Sequence, residues 1–317
     1  MKYLYNKIYE AINTGIQKAL ILDDEDVSII YQHKKISNEN DYFDYLYAYE
    51  QYQEKYEELI DRKDFRECLN LYNSEYLKQT SRTIKYKIKS KEDLVELVNN
   101  FNSIEEWDNF DLNWLDVSEI TDMSKLFKNL RLFNCNISEW DVSNVTNMNQ
   151  MFVQCKRFNS DLSKWNVANV TEMWNMFYNC NQFNSDLSKW NVSNVKNMAG
   201  MFSLCKNFKQ DLSQWNVSNV ENMAGTFYQC NKFNSDLSRW KVFNVTNMQQ
   251  MFEGCNNFNQ DLSKWNVSNV TDMGWMFYGC KKFNQNLSQW KVFNVRCIYK
   301  MFEYCPIKEE YKPKFNI

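Results

Sequence analysis

Ten cysteines, one histidine and a short acidic run are the side chains of this 317-residue sequence whose types could do chemistry. Seven of the thiols stand 25 residues apart, at Cys155, Cys180, Cys205, Cys230, Cys255, Cys280 and Cys305. A row of thiols could hold zinc, form disulfides or supply nucleophiles, and each role demands its own spacing. Zinc sites take their ligands in closely spaced pairs, whereas this chain has no C-x-x-C, and His33 lies outside the periodic stretch. Adjacent repeats about 4.8 Å apart would carry neighbouring thiols side by side and pointing the same way, which permits a disulfide without favouring one. Leu130 occupies the same slot one repeat before Cys155. A slot that accepts leucine or cysteine reads as buried, apolar and reduced. No metal or cofactor is implied.

The remaining candidates lie before the periodic stretch. Asp23, Asp24, Glu25 and Asp26 could ligate a cation, but they read more simply as a solvated helix end. Residues 1 to 85 hold His33 and Cys68 but no glycine-rich phosphate loop and no constellation of nucleophile and base. An enzyme with its active site there, using the repeats as a recognition arm, is the weakest functional reading. The sequence predicts that the chain is not an enzyme.

What positions the thiols is a 25-residue frame. Trp140, Trp165, Trp190, Trp215, Trp240, Trp265 and Trp290 recur without a slip, as do a phenylalanine column from Phe133 to Phe283, Ile137 with Leu162 to Leu287, and Val142 to Val292. Met123 to Met273, continued by Ile298, forms another column, and Phe127 to Phe302 follows four residues behind it. Residues 158–182, FNSDLSKWNVANVTEMWNMFYNCNQ, and 183–207, FNSDLSKWNVSNVKNMAGMFSLCKN, are typical copies. Self-similarity at this period marks a solenoid, a stack of coils in which each buries its neighbour's face. About eight coils are legible, the first keeping the frame with Leu115 in the tryptophan slot.

Within a coil, FNSDLSKW alternates apolar and polar residues and predicts a short strand whose copies form a parallel sheet. VTEMWNMFYNC places Val170, Met173, Met176 and Phe177 at offsets of three and four. That spacing predicts a short helix or 3₁₀ turn closing the coil. The fold class expected is therefore α/β, a solenoid with strand on one side and helix on the other. Only six glycines and two prolines are present, so the asparagine column Asn144 to Asn294 is expected to make the turns through left-handed backbone and to stack into an amide ladder.

Outside the repeats the chain divides into three parts. Residues 1–82 read as a helical segment, with helices over 1 to about 21 and 41–60. Residues 83–110 read as a cap: TIKYKI at 83–88 predicts a strand, and Ser90 predicts the N-cap of a following helix. The solenoid covers 111–305, and a charged tail, 306–317, closes it after Pro306. Repeat arrays need such ends because a bare coil face invites pairing.

Charge excludes one class of partner. Net charge is -3; residues 1 to 100 carry 15 basic against 19 acidic side chains, and the remainder 22 against 21. Neither part has the basic excess that holds phosphate backbones, so nucleic acid is not expected. The N-terminus has no apolar h-region and no stretch is long enough to span a bilayer. The chain by itself predicts a cytoplasmic protein with no signal peptide.

The repeat copies above, the leading SKEDLVELVNNF and DLNWLDVSEITDMSKLF, and the closing CPIKEEYKPKF resemble the BspA-like leucine-rich repeat proteins that carry the 25-residue repeat known as DUF285. The resemblance covers roughly residues 86–317 and implies a right-handed leucine-rich-repeat-like solenoid. It also implies a surface protein that binds other proteins or matrix, and it brings no catalytic residue with it. Two functions follow: a protein-protein interaction scaffold, surface or host-interaction related, and a cytoplasmic regulatory or immunity-type binding protein. The first locates the protein at the cell surface, the second inside.

If the chain binds a protein, the informative residues are those that vary within the fixed frame. Phe243 and Phe293 replace the usual serine or alanine, each preceded by Lys241 or Lys291. Trp174, Trp275, Tyr178, Tyr228, Tyr278, Tyr299 and Tyr304 fill slots where other coils carry small or polar residues. Exposed aromatics on a rigid scaffold anchor protein partners. The plainer alternative is that these side chains pad gaps between coils.

Overall fold

The computed structural model describes residues 19–20, 28–30, 83–99, 111–113 and 115–316. They fall in two compact units, one of residues 1–104 with 110–117, the other of 105–109 with 118–317. In the first unit β1 (Ala19–Leu20), β2 (Ser28–Ile30), β3 (Thr83–Lys87) and β4 (Leu115–Asp116) form one sheet in that order. The first two pairings are antiparallel and β3 runs parallel to β4, with Tyr86 opposite Leu115. The strand expected at 83–88 is present. Helix α1 (Lys91–Asn99) follows it, and Ser90 Oγ accepts the Asp93 N–H at 3.1 Å as an N-cap. Leu94, Leu97 and Val98 form its buried stripe. β1 lies inside the stretch expected to be the first helix, 1 to about 21, and pairs Ala19 with Ile30 instead. The β-branched pair Ile29 and Ile30 favours extended backbone in β2, the partner that β1 meets there. The rest of the helical expectation for 1–82, with His33, Cys68 and the acidic run, falls outside the described residues.

In the second unit each 25-residue coil repeats one backbone pattern. Met173, Asn175, Phe177 and Asn179 donate their N–H groups to Asn197, Ala199, Met201 and Ser203 of the next coil, at 2.7–2.9 Å. The same four bonds recur from Met123 to Gly279. Donation by alternate residues to the following chain is the parallel β pattern, and isolated parallel bridges run Asp122, Asn147, Glu172, Asn197, Asn222, Asn247, Asp272, Cys297. The intervening N–H groups turn back on their own coil, Met176 to Met173 O, Tyr178 to Asn175 O and Cys180 to Phe177 O.

This arc is the one whose apolar offsets predicted a short helix or 3₁₀ turn. Those offsets forecast burial correctly, since Met173, Met176 and Phe177 are fully buried. The bonds back to Met173 O, Asn175 O and Phe177 O each span three residues, as in a 3₁₀ turn. They stay separate turns rather than a continuous helix because two residues per coil are left-handed, among them Asn175 (φ 53) and Asn179 (φ 61). FNSDLSKW, expected as the strand, makes turns. Asp161 Oδ1 accepts the Ser163 N–H at 2.8 Å and Trp165 N–H reaches Leu162 O, so two bends within eight residues leave no straight row of donors.

Left-handed backbone is likewise absent from the asparagine column. It sits at Lys125, Gln150, Asn175, Gly200, Gly225, Gln250, Trp275 and Lys300, and at the residues four further on. The column amides do join coils, but each donates to a carbonyl of the coil before rather than to another amide: Asn219 Nδ2 to Ser193 O at 2.7 Å, Asn244 Nδ2 to Ser218 O at 2.8 Å. Replacing Asn219 with alanine is expected to lower stability by about 1 kcal/mol, read from the urea midpoint.

The core is a bundle of side-chain columns running across the coils. Trp190 and Trp215 stack with centroids 6.5 Å apart and planes 1° from parallel. Phe177 stacks on Phe183, six residues on, at 4.0 Å and on Phe202, its counterpart in the next coil, at 5.7 Å. Each buried indole also keeps its N–H satisfied, Trp215 Nε1 donating to Leu187 O at 2.9 Å. At the far end the tail packs on the last coil. Ile307 and Pro313 are buried, Tyr311 O accepts the Leu287 N–H at 2.8 Å, and Glu309, Glu310 and Lys308 face out. The tail thus contributes apolar cover as well as charge.

Candidate functional site

The cysteine column is fully engaged in packing. Cys155, Cys180, Cys205, Cys230, Cys255 and Cys280 are buried, and each Sγ lies 2.9–3.0 Å from a phenylalanine carbonyl of the preceding coil. Burial pushes all six thiols well up from their ordinary range. Burial also raises the half-buried Cys305, to about 11. A protonated thiol is neither a nucleophile nor a metal ligand. None of the nine described cysteines is joined to another.

The aromatic residues that break the frame separate into two stretches of the coil. The first is the extended passage around each tryptophan, in which Trp240, Val242 and Val245 face inward and the alternating residues Arg239, Lys241 and Phe243 face solvent. Phe243 is 39% exposed and Phe293, two coils on, 74%. The backbone beneath them is pinned: Asn269 Nδ2 donates to Phe243 O at 2.7 Å, and Asn294 Nδ2 to Ser268 O at 2.8 Å. Phe243, Lys241, Arg239, Gln214 and Asn216 line a shallow hollow. Lys241 and Lys291 are both exposed.

The second stretch is the hydrogen-bonded arc. Trp174 (40% exposed), Tyr299 (57%) and Tyr304 (71%) stand out from it, whereas Trp275, Tyr178, Tyr228 and Tyr278 are half-buried. Trp174 owes its position to a local repair. In most coils the bridge-position side chain accepts the N–H two residues on, as Asn197 Oδ1 does for Ala199 at 3.0 Å. Glu172 stands there before Trp174, and Asn149 of the preceding coil accepts the Trp174 N–H instead, at 2.7 Å. The structure brings Trp275 edge-on to Tyr299 at 4.9 Å and Tyr278 edge-on to Tyr304 at 5.4 Å. Trp275 (φ 56) and Tyr304 (φ 56) hold left-handed backbone, costing about 1–2 kcal/mol each. Burial raises the Tyr228 phenol, helped by the Glu253 carboxylate. Padding therefore describes the half-buried tyrosines better than it does Phe293, Phe243 or Trp174.

The model of the family described as "Mycoplasma protein of unknown function, DUF285" matches residues 95–215 and 199–312, well over half of the chain. The chain belongs to the DUF285 family. No curated protein and no solved structure matches it. Together the two DUF285 matches span the coils, and Phe243, Phe293 and Trp174 lie within them as departures from this chain's own 25-residue pattern. Among the described residues of this DUF285 chain no helix is long and apolar enough to cross a membrane.

Three surface cations beside the phenylalanines escape a search for broken aromatics. Arg239, Lys264 and Arg296 are exposed on the same passages. Aligning the outward positions coil by coil, rather than the apolar ones, is the signal that finds them. Thr226 escapes too: it replaces methionine in a core column, is 1% exposed, and its hydroxyl donates within reach of Met223 O at 2.8 Å.

Proposed function

We propose that this chain is a non-enzymatic protein-protein interaction scaffold, a right-handed solenoid of the BspA-like leucine-rich repeat kind that presents its pattern-breaking aromatics to another protein. One observation carries the reading: Phe243 and Phe293 project from a frame whose other phenylalanine columns are almost entirely buried. Leaving a large apolar side chain in water forgoes about 1.5–3 kcal/mol of burial. Serine serves at the same position in neighbouring coils, at Ser218 and Ser268. The frame does not require the rings, and a partner that covers them recovers the burial. The thiols, the other reactive groups of the coils, are spent on packing, which agrees with a binding role.

The test compares the full chain with its Phe243→Ser, Phe293→Ser double variant in pull-downs from the native cells. The wild type is expected to recover one stoichiometric partner and the variant at least about tenfold less of it. Equal recovery by the two proteins would assign the rings to padding and overturn the proposal.

A further inference from the structure

The surface around the two exposed phenylalanines has a charge pattern that the rest of the stack lacks. Four outward positions flank each tryptophan: the residue before it, the residue after it, the third after it and the sixth after it. In the last three coils these are Arg239, Lys241, Phe243 and Thr246, then Lys264, Asn266, Ser268 and Thr271, then Gln289, Lys291, Phe293 and Arg296. They include five cations and no carboxylate. The same positions in the coil of Trp140 bear Glu139 and Asp141, and Lys164 of the next coil is paired with that Glu139. Farther along, Lys196 is followed in its column by Glu221. The coil of Trp190 bears two cations, Lys189 and Lys196, but over the coils of Trp140 to Trp215 three cations are matched by the carboxylates of Glu139, Asp141 and Glu221, whereas the last three coils carry cations alone.

The nearest carboxylates do not cancel that excess. Asp236 and Asp261 sit at the preceding turn and accept the Ser238 and Ser263 N–H groups at 2.9 and 2.8 Å. Asp261 faces Lys264, and Asp236 shares a hollow with Arg239. Lys241, Lys291 and Arg296 have no ion-pair partner among the described residues. Phe243 and Phe293 stand two coils apart, about 10 Å at the usual spacing of adjacent chains. Ser268 floors the gap between them.

We infer that this face, Phe243 and Phe293 with Lys241, Lys291 and Arg296, docks an acidic segment of a partner protein, one apolar side chain seated between the rings and carboxylates against the cations. This rests on the protein-binding reading and names the partner's chemistry. Five like charges on a small surface repel one another, and an acidic partner relieves that repulsion while steering its own approach. The rings supply apolar contact that charge alone does not.

The test is selection of a random dodecapeptide phage library on the immobilised full chain, on Lys241→Asn, Lys291→Asn, on Lys241→Glu, Lys291→Glu and on Phe243→Ser, Phe293→Ser. Asparagine and serine occupy these positions in neighbouring coils, at Asn266 and Ser268, so the frame accommodates the substitutions. The wild type is expected to enrich peptides rich in Asp and Glu around an apolar residue. Their binding falls about tenfold in the glutamate variant, less in the asparagine variant, and weakens with added salt. Enrichment of neutral or basic peptides that depend on the two phenylalanines would overturn the acidic partner and leave protein binding standing. Peptides indifferent to every variant, or none enriched, would overturn both. Polyuridylate binding tightly where the peptides do not would assign the face to nucleic acid and overturn the inference.

Discussion

Trp215→Ala is expected to lower the stability of the coil stack by about 3–5 kcal/mol, the range for removing a buried tryptophan. Trp215 is 4% exposed, stacks on Trp190 at 6.5 Å, and meets Phe202 at 6.2 Å. Its loss opens a cavity shared by neighbouring coils and leaves Leu187 O without the indole donor it holds at 2.9 Å. Trp215→Phe separates the two contributions, since it keeps an aromatic ring and loses the hydrogen bond; it should cost about 1–3 kcal/mol. Trp290 stacks on Trp265 in the same way, but no tryptophan-bearing coil follows its own. In a one-dimensional array an end coil has one interface to lose, so Trp290→Ala should cost less than Trp215→Ala. Urea unfolding followed by circular dichroism measures all three. A loss below about 1 kcal/mol for Trp215→Ala would mean that the column is spectator packing rather than the spine of the coil.

That spine was legible in the sequence because burial and periodicity report the same thing. A residue type that returns every 25 positions faces the same neighbours in every coil, and Trp, Phe, Met, Val and Cys have no common reason to recur except a shared dry interior. Backbone conformation was less legible. Met173, Met176 and Phe177 keep helical offsets, yet the intervening Asn175 and Asn179 are left-handed. The same two slots elsewhere hold Lys125, Leu204, Trp275 and Tyr304, residues that carry no left-handed signature. What holds them there is the ladder to the next coil, a non-local constraint that local propensity does not record. Ser90 shows the contrary case: an N-cap is a bond across three residues, and it was read correctly. At the candidate site, the phenylalanines announced themselves as breaks in an apolar pattern. Arg239, Lys264 and Arg296 did not, because charged residues on an outward position break nothing.

The thiol column predicts an unusually steep loss of stability in mild alkali. Cys155, Cys180, Cys205, Cys230, Cys255 and Cys280 are all raised in the folded chain by burial, and the unfolded chain releases the same protons near pH 8.5. A group whose folded pKa lies above its unfolded value contributes its full stability below the unfolded pKa and loses it as pH rises toward the folded one. The window therefore opens near pH 8.5 and runs upward. Each thiol removes about 1.4 kcal/mol per pH unit within it, so six together remove about 8 kcal/mol per unit if the coils unfold as one. Between about pH 8 and pH 10 the urea midpoint should fall sharply in reducing buffer, and recover on return to neutral pH. Cys205→Ser keeps a small hydrogen-bond donor facing Phe177 O, where the thiol sits at 3.0 Å, but does not titrate. It should flatten the slope by about 1.4 kcal/mol per pH unit while costing little at pH 7. Glu253 and Tyr228 are raised by burial as well, and their contributions have the same sign as the thiols'. A profile flat to pH 10 would show that the thiols ionise within the folded coils and that the core admits water. A slope of one thiol rather than six would instead show that coils open singly, each releasing only its own proton.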